Sequence, residues 1–149
     1  MSEKQDTKSG RTPWHLWVLG ILALIWNGTG AMDYVMTQAK FEPYMSQFTP
    51  EQLEYFYGIP AWAVATWATA VWTGVLGALM LLFKKRLAFP TFVTSLIALV
   101  ITSIHTYGLS NGMEVMGGAI SLIFTAVIFL STVALVIYAR VMQKRGVLT

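Results

Sequence analysis

The sequence lacks cysteine altogether and is poor in charge: of its 149 residues only 11% are Asp, Glu, Lys or Arg, against roughly 25% in an ordinary soluble domain. Without cysteine there are no disulfides, thiolate metal sites, cysteine-linked haem or cysteine nucleophiles. Histidine is scarce too. His15 and His105 belong near opposite membrane faces and cannot share a metal, so neither a metal site nor a cofactor is expected. No serine stands in a nucleophile motif, and Gly28 with Gly30 lacks the strand and later glycine of a dinucleotide loop. These absences argue against an enzyme. The formal charge of +3 does not mark a nucleic-acid binder, because its distribution along the chain carries more meaning than its sum.

What the chain has instead is apolar length. Uncharged stretches run from Thr12 to Met32, Tyr55 to Phe83, Leu87 to Met113 and Val115 to Ala139, which is 21, 29, 27 and 25 residues. Each exceeds the ~20 apolar residues that cross a bilayer. The expectation is an all-α membrane protein, a four-transmembrane-helix bundle with spans at 14–36, 60–83, 89–110 and 115–138. An outer loop covers 37–59, and tails cover 1–13 and 140–149, the first of them polar and read as disordered. Lys4, Lys8, Arg11, Lys84, Lys85, Arg86, Arg140, Lys144 and Arg145 all fall in the tails or the second loop. The opposite side has Lys40 as its one base and carries Asp33, Glu42, Glu51, Glu54 and Glu114. Basic residues flanking a span resist translocation, which predicts both termini on the cytoplasmic side.

In the outer loop, Phe48-Thr49-Pro50-Glu51-Gln52-Leu53 has the elements of a helix start. Thr49 is the cap, Pro50 is at N1, Gln52 is the reciprocal N3 partner, and Phe48 with Leu53 forms a staple. Tyr55, Phe56 and Tyr57 predict that this short amphipathic helix lies on the outer membrane surface. Thr66, Ala70, Gly74 and Ala78 form a thin ridge on the second span, and Gly117, Ser121 and Thr125 another on the fourth; small residues allow close helix approach. Trp62, Trp67 and Trp72, five apart, scatter around the second span instead of stacking. Ser110-Asn111-Gly112 reads as a tight turn between spans three and four. The Met-flanked acids Asp33 and Glu114 at the outer ends of spans one and three hint at two repeated hairpins.

Polar residues inside spans are the natural candidates for a site, since an unpaired polar group in hydrocarbon costs several kcal/mol. At ~1.5 Å per residue, Asn27, Asp33 and His105 reach the outer leaflet. Asn27-Gly28-Thr29-Gly30 predicts a weakened helix whose freed backbone groups need partners. If the polar faces of spans one and three meet, Asp33 can accept a hydrogen bond from His105. The candidate solute pocket is therefore Asn27, Thr29, Asp33, His105, Tyr107 and Glu114, and the candidate packing positions are Ala70, Gly74, Ala78, Gly117 and Ser121. The inner half of all four spans is almost wholly apolar and offers no continuous ion path.

Trp26-Asn27-Gly28-Thr29-Gly30-Ala31-Met32-Asp33-Tyr34, Phe48-Thr49-Pro50-Glu51-Gln52-Leu53 with Tyr55-Phe56, and Pro60-Ala61-Trp62 together resemble a group of small uncharacterised proteobacterial inner-membrane proteins, some labelled sugar transporters. The resemblance spans nearly the whole chain and implies a transport class without a substrate. The size is also similar to that of small multidrug exporters, which carry an acid near the middle of the first span, whereas Asp33 stands at its outer end. Two functions are expected. One is a transporter-like, self-associating protein that binds or moves a small polar solute such as a sugar. The other is an accessory subunit of a larger membrane complex, from which Gly74→Leu would release it.

Overall fold

The computed structural model describes residues 12–149, and the tail expected at 1–13 lies outside them up to residue 11. The described chain is helical throughout, without strands. Its helices are α1 (Trp14–Gln38), α2 (Glu42–Met45), α3 (Pro50–Tyr57), α4 (Ala61–Leu82), α5 (Ala88–Ile104), which continues as a π-helical turn His105–Leu109, α6 (Gly112–Val115) and α7 (Ala119–Lys144). Four of these stretches, Trp14–Gln38, Ala61–Leu82, Ala88–Leu109 and Ala119–Lys144, are long and apolar enough to cross a membrane. Pro13 and Pro60, both in extended backbone, start α1 and α4, where a missing N–H costs nothing.

The two glycines near the middle of α1 do not break it. Asn27 Nδ2 donates to the Ala23 carbonyl at 2.8 Å and Thr29 Oγ1 to the Trp26 carbonyl at 2.6 Å, so both polar side chains find partners within the helix itself.

α1 packs on α4, α4 on α5, and α5 on α7. One end of the bundle is basic. There Lys84 Nζ donates to Thr12 Oγ1 at 3.3 Å, and the Thr149 N–H donates to the Lys84 carbonyl at 2.9 Å. In the segment expected as a tail at 140–149, α7 runs on to Lys144, and Val147 and Leu148 tuck into the core at 6% and 2% exposure. Apolar side chains cannot be left hanging in water when a core lies beside them.

The core belongs to this basic half, built from Leu16, Leu81, Phe92, Met142 and Leu148 around Ala78, Ala88 and Ala139. Small residues on α4 make it dense. A Cβ at Gly77 would stand 2.7 Å from the Phe92 ring, and one at Gly74 would run into the Asn27 amide oxygen. Ala70 offers its carbonyl to Ser95 Oγ at 2.7 Å. The α4 ridge is thus occupied by neighbours in the same chain, and Gly74→Leu would disturb this bundle before it could release a partner.

The connection between the third and fourth spans departs from the expected tight turn at 110–112. α6 follows at once, and α7 begins only at Ala119, four residues after the expected start. Gly117 and Gly118 make the bend, with φ of 104° and 65°, a region that glycine alone enters without strain. Gly117 therefore shares no helix face with Ser121.

Replacing Gly77 with Leu should lower the midpoint of thermal unfolding in detergent, since overpacking a filled core costs about 1–3 kcal/mol. Gly28→Ala, whose new Cβ meets nothing within 4 Å, should hold or raise it. Circular dichroism melts of the two variants check the contrast.

Candidate functional site

Toward the other end, where the acids are, the bundle holds a cavity of about 480 Å³, within the size range of small-molecule sites, about 300–1,000 Å³. α1 contributes Asn27, Thr29 and Asp33, α4 Trp67, α5 Ser95 and Thr102, and α7 Phe124. The roof comes from the loop between α1 and α4. Tyr44 on α2 donates its hydroxyl to Asp33 Oδ1, and Tyr44, Phe48 and Phe56 form an edge-to-face chain with centroids 5.6 and 5.1 Å apart.

Local chemistry holds the roof in place. Thr49 and Gln52 cap α3 reciprocally, Thr49 Oγ1 accepting from the Gln52 N–H at 3.2 Å and Gln52 Oε1 from the Thr49 N–H at 3.1 Å. Gln52 Nε2 then donates to the Val115 carbonyl at 3.2 Å, and the Tyr55 hydroxyl lies 2.9 Å from Ser110 Oγ. Lys40 Nζ sits 4.7 Å from the centre of the Tyr57 ring, so both ends of the α1–α4 loop meet.

A separate cleft of about 400 Å³ opens on the other side of α3, lined by Glu51, Glu54, Tyr55, His105, Ser110 and Asn111. His105 is 7% exposed and meets the Trp62 ring edge-on at 5.2 Å. Here the structure corrects the expected Asp33–His105 contact. α5 packs along α4, so His105 is held against α4, and Asp33 takes its hydrogen bond from Tyr44 instead.

The six candidate residues therefore divide. Asn27, Thr29 and Asp33 share the larger cavity, and His105 lines the second cleft. Tyr107 lines neither: its hydroxyl lies 2.8 Å from Ser121 Oγ and 2.6 Å from Thr125 Oγ1, tying the π-turn to α7. Glu114 sits exposed on α6, also outside both. Sequence reasoning missed Tyr44, Trp67 and Ser95. The Pro43-Tyr44 start of α2 was a legible signal for a second short helix; the inward direction of Trp67 was not.

Fold and site together define an all-helical protein with four helices able to span a membrane and a roofed cavity in one half. No family model, curated protein or solved structure matches the chain.

Burial first, then the hydrogen bond to Asp33 and its negative charge, raise the Tyr44 phenol from the usual 10 to about 12. A raised acid pKa in the folded state gives stability that is fully present below pH 10 and lost as pH climbs toward about 12. Ultraviolet difference titration should show Tyr44→Phe lacking an ionisation step near pH 12, with the remaining steps unmoved.

Proposed function

We propose that this chain is a transporter-like, multi-pass protein of a bacterial inner membrane that binds or moves a small solute through the roofed cavity. The observation that carries this reading is the cavity itself. Asn27, Asp33 and Tyr44 converge on a space of about 480 Å³ at one end of a bundle whose other half is densely packed. Polar side chains facing a cavity inside spanning helices are costly to keep there and serve solute contact in many membrane proteins.

In this reading the basic end, with both termini, faces the cytoplasm. The cavity then belongs to the outer leaflet, and α3 lies at the outer surface, with Phe56 turned into the cavity and Tyr57 the exposed aromatic at the membrane interface. Passage across the membrane requires the basic half to open, since Leu81, Phe92 and Met142 fill it at 2% exposure or less.

A second reading is favoured by α7. It is the most apolar of the four helices and has only 6% of its spanning window buried, with Ile120, Ile123 and Leu130 each more than 60% exposed. That face suits another copy of the chain or a subunit of a larger complex. Native mass spectrometry from mild detergent separates the two: other named subunits would make the chain an accessory protein.

For the solute reading, a thermal-shift screen of neutral sugars and amines should return compounds that stabilise the protein, by about 2.7 kcal/mol at a hundredfold excess over Kd. The shift should vanish in Asp33→Asn and persist in Glu114→Gln. Equal shifts in all three proteins would remove the cavity from the proposal.

A further inference from the structure

The charge of the larger cavity is lopsided. Its hydroxyls are already engaged as donors: Ser95 Oγ donates to the Ala70 carbonyl at 2.7 Å, Thr102 Oγ1 to the Ala98 carbonyl at 2.8 Å and Thr132 Oγ1 to the Ile128 carbonyl at 2.8 Å. Thr29 Oγ1 donates to a carbonyl of α1, and Tyr44 donates to Asp33. The neutral donors left over are the second hydrogen of Asn27 Nδ2, whose first goes to the Ala23 carbonyl, and the indole N–H groups of Trp26 and Trp67. Asp33 Oδ2 takes no hydrogen bond from the described residues and is not sealed away from a ligand or water. The lining holds no Lys, Arg or His to balance that acid. The rest of the wall is mostly apolar, including Leu99, Phe124 and Ile128, which suits an apolar body better than the hydroxylated rim of a sugar.

The cavity also has a side. α1–α4, α4–α5 and α5–α7 are the closely packed pairs of long helices. α1 and α7 are joined by side chains: His15 Nδ1 lies 2.6 Å from the Tyr138 hydroxyl near the basic end, and Trp26 and Phe124 stand with ring centres 6.4 Å apart. Trp26 and Phe124 both line the cavity and are 38% and 59% exposed on the bundle surface. At this seam the wall is formed by the Trp26 and Phe124 side chains, between two helices that are not one of the closely packed pairs.

We infer that the ligand of this cavity is an amphipathic amine, a protonated ammonium on an apolar body, which reaches Asp33 from the lipid by passing between Trp26 and Phe124. The ammonium donates to Asp33 Oδ2, the apolar body lies against Trp67, Leu99 and Ile128, and the seam admits it without opening the basic half. This rests on the solute reading above and narrows its substrate class.

The test uses the full chain in phosphatidylcholine nanodiscs with two diazirine-bearing probes, decylamine and decanol, the adducts being mapped by mass spectrometry. Saturable decylamine labelling is expected on the cavity residues. Asp33→Asn should weaken the amine at least about tenfold, which is about 1.4 kcal/mol, while decanol labelling stays within about twofold and shows that the fold survives. Tyr44→Phe, which keeps the acid, should retain amine labelling.

Because the chain has no cysteine of its own, a Trp26→Cys/Phe124→Cys pair can be bridged by a short bis-methanethiosulfonate, each thiolate displacing methanesulfinate to form a disulfide that a reductant cleaves. Bridging should slow amine labelling, and cleaving the bridge should restore it. Equal amine labelling in Asp33→Asn, or labelling confined to Ile120, Ile123 and Leu130 on the lipid face, would overturn the inference. Should sugars from the thermal screen still depend on Asp33 in that case, the amine is wrong and the cavity stands; should nothing depend on Asp33, both fall.

Discussion

The close approach of α4 to its neighbours is the constraint on which the rest depends. In a bilayer, apolar surface gains nothing by leaving lipid for protein, so helices hold together through van der Waals contact and occasional hydrogen bonds. Gly77 lets the Phe92 ring lie almost on the α4 backbone, Gly74 makes room for the Asn27 amide, and Ala78 is fully buried between them. Toward the acidic end the α4 side chains grow: Trp67 and Val71 stand where small residues stood lower down. The cavity lies where the ridge of small residues gives way to these larger side chains.

The cavity keeps its shape because its roof is tied at several points. The capping box starts α3 at a defined residue, Gln52 and Tyr55 fasten it to the α5–α7 connection, and the Tyr44–Asp33 bond fastens α2 to α1. None of these ties is strong alone. Together they hold a loop of some twenty residues over the bundle, a length at which loops without structure of their own are uncommon. Tyr44 does a second thing: it engages one oxygen of Asp33 and leaves the other, so the carboxyl group is oriented with one oxygen still open to a ligand.

The fold was legible where the physics is local. Uncharged length gave four spanning helices, and the run Phe48 to Leu53 gave α3 with its cap, because a capping box involves residues only three apart. The ends of elements were less legible. The Gly117-Gly118 bend was read as part of a helix ridge, since glycine is equally at home in a close helix contact and in a turn of positive φ. The burial of Val147 and Leu148 within the expected tail was not legible, since nothing in a sequence shows that the far end of another hairpin offers them a place. The site was half legible. Asn27, Thr29 and Asp33 stand on one stretch of one helix, so helical spacing alone puts them together, whereas Tyr44, Trp67 and Ser95 come from three other elements.

By itself, then, the sequence determined the class of protein, the number of spans, the separation of basic from acidic ends and the cap of α3, each through charge, length or neighbours a few residues away. Only the tertiary structure decided that Asp33 faces Tyr44 and not His105, that Tyr107 is a tether and that the α4 ridge is used within the chain. Those outcomes depend on which helix lies between which others. α4 stands between α1 and α5 through glycines whose small size permits several neighbours and specifies none, so only the packed bundle shows which of them came close.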